Sequence, residues 1–206
     1  MDRIDLEPFR RIATGNASDA MEAMGMRRTV ILGLTMIAQP GTKLVGRAFT
    51  MRQLPKYATA NKDDPLTRHQ EVVGELAQPG DVVMIDCCGN YESSSLGEMN
   101  AFMAASRGVA GVVVDGAIRD ATSMRECGMP VFSAATTAVK SRWDFETVGI
   151  GEPVAIRGVQ VRAGDIVLGD ESAVVVIPAS HALEVLKEAI AIGEKEDKVV
   201  ASLRRD

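Results

Sequence analysis

The middle of the chain alternates short apolar runs with segments of helical periodicity. The apolar runs are residues 81–86, 110–115 and 130–134. Between them, residues 96–107 and 120–127 place apolar side chains at helical spacing, and a glycine and a proline end the second segment. This order and these lengths predict a βαβαβ unit, whose strands are parallel and whose crossovers are right-handed.

The regions before this unit predict further elements. Residues 6–24 have a broken helical pattern that predicts two short helices. Residues 43–51 predict a strand, and Asp64 followed by Pro65 predicts the start of a helix that extends to residue 77. We therefore expect helices and at least one strand to precede the central unit.

The last third of the chain has a different pattern of apolar and polar residues. Beyond residue 142, short β segments are separated by Gly158, Gly164 and Gly169, which we expect to be turn residues, and the pattern predicts a mixed or antiparallel sheet. A final amphipathic helix is predicted from about residue 180 to 204, where it could contact a neighbouring subunit. The whole chain is thus predicted to be one α/β domain with a central βαβαβ unit and a mixed β region.

Composition narrows the classes of function. The 206 residues include 23 Lys and Arg against 28 Asp and Glu, a net charge of -5, and only 4% are aromatic. This balance gives no electrostatic or stacking reason to expect a nucleic-acid partner. The longest apolar runs are far shorter than the roughly 20 residues of a membrane helix, and no signal-peptide pattern is present. With three cysteines that fit no disulfide framework, we expect a cytoplasmic protein with a small-molecule ligand and no membrane partner.

Candidate chemistry lies at the carboxyl ends of the predicted parallel strands, where ligands bind in open α/β sheets. One loop brings Gly97 and Glu98 to the start of a helix, whose free N–H groups and dipole suit an anion. The next loop brings Arg119 and Asp120. Because one helix, one strand and a turn separate Glu98 from Arg119, we expect the loops to lie side by side. Arginine binds carboxylates with two hydrogen bonds and aspartate suits Mg²⁺ or Mn²⁺, so the pair could hold a 2-oxo acid and stabilise its enolate.

Each of these residues also has a purely structural interpretation. Ser95-x-x-Glu98 matches a capping box, in which Glu98 only satisfies a backbone N–H. Asp120 could be a helix cap and Arg119 its surface partner. Taken singly, these interpretations are favoured. Taken together, an arginine and two carboxylates at one sheet edge form a constellation that structure alone does not require.

Other candidates for nucleophilic or acid–base chemistry are weaker. Cys87 and Cys88 have no histidine nearby in sequence, so we expect them to pack in the core. His69 and His181 are isolated, which favours surface or core positions over catalysis. No lysine falls on an apolar strand where burial would favour Schiff-base chemistry, and the glycine spacing matches neither a dinucleotide fingerprint nor a P-loop.

Three segments carry a family resemblance. They are GNYESSSLGEMNAFMAASRGVAGVVVDGAIRD (89–120), GMPVFS (128–133) and VRAGDIVLGDESAVVVIP (161–178). They resemble the family that contains the regulator of ribonuclease activity A and the class II 4-hydroxy-4-methyl-2-oxoglutarate aldolases, over about residues 19–204. The most specific element is Glu98, twenty residues, then Arg119 and Asp120. Regulator-type members can lack the aspartate, so Asp120 matches the aldolase branch.

The resemblance implies a role for each site residue. Asp120 would ligate a divalent metal, Mg²⁺ or Mn²⁺, and Arg119 would hold the pyruvate unit and stabilise its enolate. The amides near Met99 and Asn100, next to Gly97, would bind the pyruvate carboxylate. Glu98 would orient the water that protonates the enolate.

The resemblance also implies an assembly and a reaction. Family members are trimers or hexamers, and Glu196 of a neighbouring subunit would reach the metal through water, although Glu194 lies two residues away. Their fold is a compact α/β sandwich resembling swivelling phosphohistidine domains. The implied activity is retro-aldol cleavage of 4-hydroxy-2-oxo acids with release of pyruvate, and decarboxylation of oxaloacetate. The alternative is a non-catalytic regulator that binds a ribonuclease or another protein.

Overall fold

Helices and strands follow one another in the order that the hydrophobic pattern predicts for the central unit. The structure, a computed structural model, describes residues 4–57 and 67–204. The helices are α1 (Thr14–Ala23), α2 (His69–Glu71, continued by a π-helical turn Val72–Leu76), α3 (Glu98–Ser106), α4 (Ala121–Met124) and α5 (Ala182–Leu203). The strands are β1 (Val30–Ile31), β2 (Thr35–Ala38), β3 (Leu44–Pro55), β4 (Asp81–Ser94), β5 (Gly111–Ile118), β6 (Val131–Thr136), β7 (Phe145–Ile150), β8 (Val154–Ile156), β9 (Val159–Val161), β10 (Ile166–Gly169) and β11 (Val174–Ile177).

The predicted βαβαβ unit is present and lies inside a larger mixed sheet. Strands β4, β5 and β6 pair in parallel, and β3 adds a further parallel neighbour to β4. Strands β10 and β7 pair with β3, and β2 pairs with β6, all antiparallel. Within the described residues the sheet has nine strands in the order β1-β11-β10-β3-β4-β5-β6-β2, with β7 beside β3. The α/β class with a mixed β region is therefore confirmed, while the likeness to swivelling phosphohistidine domains stays a prediction.

The central strands are apolar because helices and a hairpin cover their two faces. Val83 and Ile85 of β4 pack with α3 residues in one cluster, whereas Val82 and Met84 pack with the β8–β9 hairpin in another. This alternation is the two-residue period of a strand, and burial on both sides explains why the runs are continuously apolar. A third cluster joins α1 and α5 to β10 and β11. Each cluster is mostly aliphatic and contains one buried phenylalanine, Phe145 in the first, Phe132 in the second and Phe9 in the third.

Several boundaries differ from the prediction. Helix α4 is a single turn that ends at Met124, well before residue 127. Gly158 and Gly164 have the positive φ of turn residues, but Gly169 is wrongly predicted because it is the last residue of β10. A Cβ at Gly169 would lie 3.0 Å from the Phe132 ring, so this glycine leaves room for packing.

The first and last helical regions are also informative. Residues 6–24 form a 3₁₀ turn at Glu7–Arg11 and helix α1, which confirms two short helices. The predicted helix start at Asp64 and Pro65 lies outside the described residues. Helix α5 confirms the C-terminal helix, and in the part of the chain that the structure describes, no helix combines the length and apolarity needed to cross a membrane.

Candidate active site

The loops that follow β4 and β5 are joined by backbone hydrogen bonds. The Ser95 N–H donates to the Ala117 carbonyl at 2.8 Å, and the Arg119 N–H donates to the Leu96 carbonyl at 2.9 Å. These bonds extend the pairing of the two parallel strands into the loops. Glu98 at the start of α3 therefore lies next to Arg119, which is the proximity that the twenty-residue spacing predicts.

Asp120 has an unusual backbone and an unexpected partner. Its φ of 58° is in the left-handed region, which few residues other than glycine adopt, although aspartate tolerates it. The residue occupies the N-cap position of α4 but makes no capping hydrogen bond. Its carboxylate Oδ2 instead lies 3.4 Å from the Glu98 nitrogen and 3.5 Å from Arg119 Nε. Asp120 therefore does not cap its own helix, but its carboxylate accepts a hydrogen bond from the first N–H of α3 in the neighbouring loop.

The capping-box interpretation of Glu98 is also wrong. Ser95 is buried, and its hydroxyl hydrogen bonds with Gln53 and Cys87 rather than with the start of α3. The N-cap of α3 is Gly97, with no side-chain cap. The first turn of a helix has N–H groups without partners inside the helix, so this end can bind an anion.

Gly97 is required by the close approach of the two loops. A Cβ at this position would lie 2.9 Å from Arg119 Nε and 3.1 Å from Asp120 Oδ2. Both distances are shorter than side chains normally allow, and the φ of -123° is ordinary. The glycine is therefore present for space rather than for backbone freedom, and it lets the guanidinium and the carboxylate approach the helix end.

A pocket of about 360 Å³ opens beside this helix end. Gly97, Met99, Asn100 and Arg119 line it, which brings four of the predicted site residues into one cavity. Glu98 and Asp120 do not line the pocket itself, although each directly neighbours a lining residue. Met99 is 75% exposed in the isolated chain.

The predicted residue Glu196 lies elsewhere within the chain. Its carboxylate Oε2 accepts a hydrogen bond from Asn16 Nδ2 at 2.6 Å, where α5 packs on α1. The structure of one chain therefore does not bring Glu196 to Arg119 and Asp120. A contribution from a second subunit stays a prediction.

His69 is a pocket residue that the sequence did not indicate. Its side chain is buried, lines the same pocket as Arg119, and lies 2.7 Å from Gln53 Nε2. Burial lowers the pKa of His69 to about 4, so the imidazole is neutral at physiological pH. No signal in the local sequence could have revealed this position, because Gln53 belongs to a strand sixteen residues earlier.

The remaining candidates divide between core and surface. Cys87 is buried as expected, and burial raises the pKa of its thiol, which keeps it protonated and unreactive. Cys88 is exposed with a positive φ, so the prediction that it packs in the core is wrong. The bulge that β4 makes against β5 between Asp86 and Asn90 explains this exposure, since it turns the strand at its end. His181 is exposed, as expected for an isolated surface histidine.

The carboxylates at the pocket suit a magnesium site with one or two protein ligands better than a closed zinc site. Among residues 4–57 and 67–204, no three His, Cys, Asp or Glu side chains are grouped so that they could hold a metal ion. A closed zinc site built from these described residues alone is therefore not supported. Mg²⁺ commonly binds through one or two carboxylates and completes its shell with water and substrate. Asp120, whose side chain is 31% exposed, fits such a minimal site.

A larger recess lies away from this chemistry. It has a volume of about 650 Å³ and is bordered by Arg27, Arg28 and Arg162 near the β8–β9 hairpin. None of the residues that line it belongs to β4 or β5. The smaller pocket is the better candidate because it combines a helix N-terminus, an arginine and a carboxylate.

The fold and the site define an α/β protein with a pocket, lined by a helix N-terminus and an arginine, at the carboxyl edge of its parallel strands. The chain belongs to the RraA-like family, since the family model described as Aldolase/RraA matches residues 14–176. This match confirms the family resemblance and includes Gly97, Glu98, Arg119 and Asp120.

Individual relatives fall on both branches of this family. The chain is 33% identical over 184 residues to a protein of Halalkalibacterium halodurans provisionally named a 4-hydroxy-4-methyl-2-oxoglutarate aldolase, covering 88% of this chain and 80% of the relative. It is 32% identical over 139 residues to the 4-hydroxy-4-methyl-2-oxoglutarate aldolase of Thermus thermophilus, covering 66% and 76%. A Streptomyces coelicolor structure, described as an unusual member of the RNase ES inhibitor RraA family, has a TM-score of 0.86 at 30% identity, covering 96% of both chains.

Proposed function

We propose that this chain is a divalent-metal-dependent carbon–carbon lyase. Its substrates are 4-hydroxy-2-oxo acids such as 4-hydroxy-4-methyl-2-oxoglutarate, which it cleaves to release pyruvate, and it decarboxylates oxaloacetate through the same enolate. The observation that carries the proposal is the convergence of Arg119, Asp120 and the N-terminus of α3 at one pocket edge. The names of the Halalkalibacterium and Thermus relatives also support it.

The reaction needs an electron sink at C2 of the substrate. In the retro-aldol step the C4 hydroxyl gives its proton to the water that Glu98 orients, the C4 oxygen becomes a carbonyl, the C3–C4 bond breaks, and its electron pair becomes the pyruvate enolate. Arg119 stabilises the negative charge that develops on the C2 oxygen, while the amides of Met99 and Asn100 bind the substrate carboxylate. Glu98 orients the water whose proton converts the enolate to pyruvate. Decarboxylation of oxaloacetate ends on the same enolate and so uses the same groups.

Asp120 is the residue that would hold the metal. The ion would act as a Lewis acid that polarises the C2 carbonyl, a role that otherwise falls to a Schiff-base lysine. Asp120 also contacts Arg119, so it keeps the guanidinium in place beside Gly97. Mg²⁺ or Mn²⁺ suits this oxygen ligand.

A homo-oligomer would complete the site. Helix α5 exposes Val199, Val200 and Leu203 in the isolated chain, and apolar surface of this kind is commonly covered by another subunit. We infer a trimer or hexamer in which Glu196 of a neighbouring subunit approaches the metal through water. Measurement of the mass in solution, followed by comparison of Glu196→Gln with Glu194→Gln, tests this assignment. Equal activity in the two variants would rule out a special role for Glu196.

The pocket wall favours a substrate with two carboxylates. Lys140 is exposed and lines the same pocket as Arg119, and Arg142 lines it as well. A dicarboxylic acid held at one end by Arg119 and the α3 amides could therefore meet a second cationic group. This arrangement is consistent with 4-hydroxy-4-methyl-2-oxoglutarate, which carries carboxylates at both ends.

The test of the lyase proposal is direct. Pyruvate release from 4-hydroxy-4-methyl-2-oxoglutarate and from oxaloacetate is measured with Mg²⁺ or Mn²⁺ and again with excess chelator. We expect activity that the chelator abolishes and that Arg119→Ala removes. Arg125→Ala is the matched control, because Arg125 is exposed one turn further along and its side chain does not line the pocket. Absence of activity on both acids would refute the proposal.

The second candidate is a non-catalytic regulator that binds a ribonuclease or another protein. The description of the Streptomyces relative as a member of an RNase inhibitor family is the observation that favours it. Purified ribonuclease is mixed with the wild-type chain and with Asp120→Ala, and both binding and pyruvate release are measured. Ribonuclease binding in an otherwise inactive wild-type chain would support the regulator. Pyruvate release that Asp120→Ala abolishes would support the lyase.

A further inference from the structure

A chain of buried polar side chains runs beneath the pocket. Cys87 Sγ lies 2.9 Å from Ser95 Oγ, Ser95 Oγ lies 2.7 Å from Gln53 Oε1, and Gln53 Nε2 lies 2.7 Å from His69 Nε2. Their exposed fractions are 0% for Cys87 and Gln53, 1% for Ser95 and 7% for His69. Cys87, Ser95 and Gln53 have almost no access to water and must satisfy one another and the Nε2 side of His69, so their hydrogen bonds have a defined direction.

The donor and acceptor in each of these hydrogen bonds can be assigned by starting from the Cys87 thiol. Burial raises the pKa of Cys87, so its S–H is present, and its acceptors in this group are Ser95 Oγ at 2.9 Å and Gln53 Oε1 at 3.5 Å. The Ser95 hydroxyl in turn donates to Gln53 Oε1, which fixes the carbonyl end of the amide toward Ser95. The NH₂ group of Gln53 therefore faces His69 and donates to Nε2. The proton of the imidazole is then on Nδ1.

The imidazole held in this way cannot serve as a base. Its lone pair on Nε2 already accepts from Gln53, and burial lowers its pKa to about 4. What it retains is one N–H donor on a ring that lines the pocket together with Ser95, Arg119 and Gly97. A neutral donor of fixed tautomer suits a hydroxyl or carboxylate oxygen of a bound acid without adding a charge.

We propose that Gln53 is a positioning residue that locks His69 as a neutral Nδ1–H donor to the substrate in this pocket. The assignment rests on the proposed lyase function for the identity of the substrate, since the donor serves an oxygen of the 4-hydroxy-2-oxo acid. Gln53 acts only through His69. Ser95 and Cys87 hold the amide of Gln53 in its orientation.

The first experiment measures the tautomer without reference to activity. The chain contains two histidines, so ¹⁵N-histidine labelling gives the signals of His69 and of exposed His181 alone. We expect His69 to show the neutral Nδ1–H pattern from about pH 8 to about pH 5.5. In Gln53→Met this pattern should be lost, whereas Gln70→Met, which alters a pocket residue whose side chain is not hydrogen-bonded to His69 in the described structure, should preserve it. An Nε2–H pattern in the wild type, or titration of His69 near its ordinary pKa, would overturn the proposal even if Gln53→Met does not fold.

The second experiment tests the contact with substrate. In the folded protein, pyruvate is added with Mg²⁺, then oxaloacetate under the same conditions. We expect the His69 signal to shift with at least one of the two acids while the His181 signal does not move. No shift of His69 with either acid at concentrations that saturate binding would remove its role as a donor.

The third experiment uses two near-isosteric variants. The side-chain nitrogen of Asn can occupy the place of Nδ1, and that of Gln the place of Nε2. His69→Asn should therefore retain a KM near that of the wild type, while His69→Gln should raise it about tenfold, the value of one hydrogen bond, with a smaller effect on kcat. Equal KM values in the two variants would contradict the proposed donor. A wild-type chain without lyase activity would refute the lyase proposal, and the NMR measurements would still decide the role of Gln53.

Discussion

The carboxylate Oδ2 of Asp120 lies 3.4 Å from the backbone nitrogen of Glu98, across the gap between two loops. Asp120 reaches this position with a left-handed backbone and without capping its own helix. Strained conformations of this kind are retained where the surrounding structure or the function requires them. The left-handed backbone of Asp120 affects the stability of the fold, whereas its carboxylate belongs to the site, so the two effects can be tested separately.

Replacing Asp120 with glycine should divide these two effects. Glycine adopts a positive φ freely, which offsets the loss of the Asp120 contacts with Glu98 and Arg119, so the stability of Asp120→Gly should lie within about 1 kcal/mol of that of the wild type. Loss of the metal ligand should lower kcat/KM for oxaloacetate by at least about 100-fold. Thermal unfolding without added metal and initial rates with Mg²⁺ provide the measurements. Asp19→Asn, on the exposed face of α1, is the control for loss of a carboxylate. Retained activity in Asp120→Gly would exclude Asp120 as the ligand.

Gly97→Ala should damage the site through space alone. The added methyl group would lie 2.9 Å from Arg119 Nε, so the guanidinium or the start of α3 must move. A displacement of this size at a reacting group typically costs about 100-fold in rate. Gly15→Ala is the matched control, because nothing lies within 4 Å of a Cβ there and the helix should gain about 0.5–1 kcal/mol. Steady-state kinetics and thermal unfolding of both variants check the prediction, and wild-type rates in Gly97→Ala would contradict it.

The central βαβαβ unit could be predicted because its signals are local. Residues 81–86 and 110–115 are continuously apolar, since β4 and β5 are buried on both faces, and the intervening helical pattern corresponds to α3. The juxtaposition of Glu98 and Arg119 then follows from topology alone, because parallel strands end at the same sheet edge. The family model extends over both residues.

The remainder of the site depends on contacts that no local pattern encodes. Gln53, Ser95 and His69 lie on three separate elements, and only their packing creates the buried chain. The sequence also offered Ser95 as a helix cap, which was wrong because the burial of Ser95 turned its hydroxyl toward Gln53. The last eight residues of β4 include Gly89 and Asn90, which predict a loop, yet bulged pairing with β5 keeps them in the strand. Tertiary pairing overrides the propensity of these residues.

Lys140 should distinguish substrates by their second carboxylate. Lys140 lines the pocket with Arg119, so Lys140→Met should raise the KM for 4-hydroxy-4-methyl-2-oxoglutarate about tenfold, the loss expected for one charge-assisted hydrogen bond. Pyruvate has only one carboxylate, so its inhibition constant should be unchanged. The KM and the inhibition constant are measured in the same enzyme preparation. Lys187→Met, at an exposed position of α5, is the control. An equal loss for both compounds would show that Lys140 affects the pocket as a whole.

The burial of His69 should make stability fall in mild acid. Burial lowers the folded-state pKa of His69 to about 4, below its ordinary value of 6.5. Between these values the unfolded chain binds the proton and the folded chain does not, so stability is fully present above about pH 6.5 and declines as the pH falls toward 4.

The size of this effect can be isolated with one variant. From pH 7 to pH 5, His69 alone should lower the free energy of unfolding by about 2 kcal/mol in the wild type. His69→Asn does not titrate, so its decline over the same interval should be smaller by that amount, although its stability at pH 7 should be lower because the fit to Gln53 is lost. Urea denaturation at both pH values measures the difference, and the carboxylates contribute equally to the two proteins. Parallel declines in wild type and variant would mean that His69 accepts a proton in the folded state, which would also remove the basis for a fixed neutral donor.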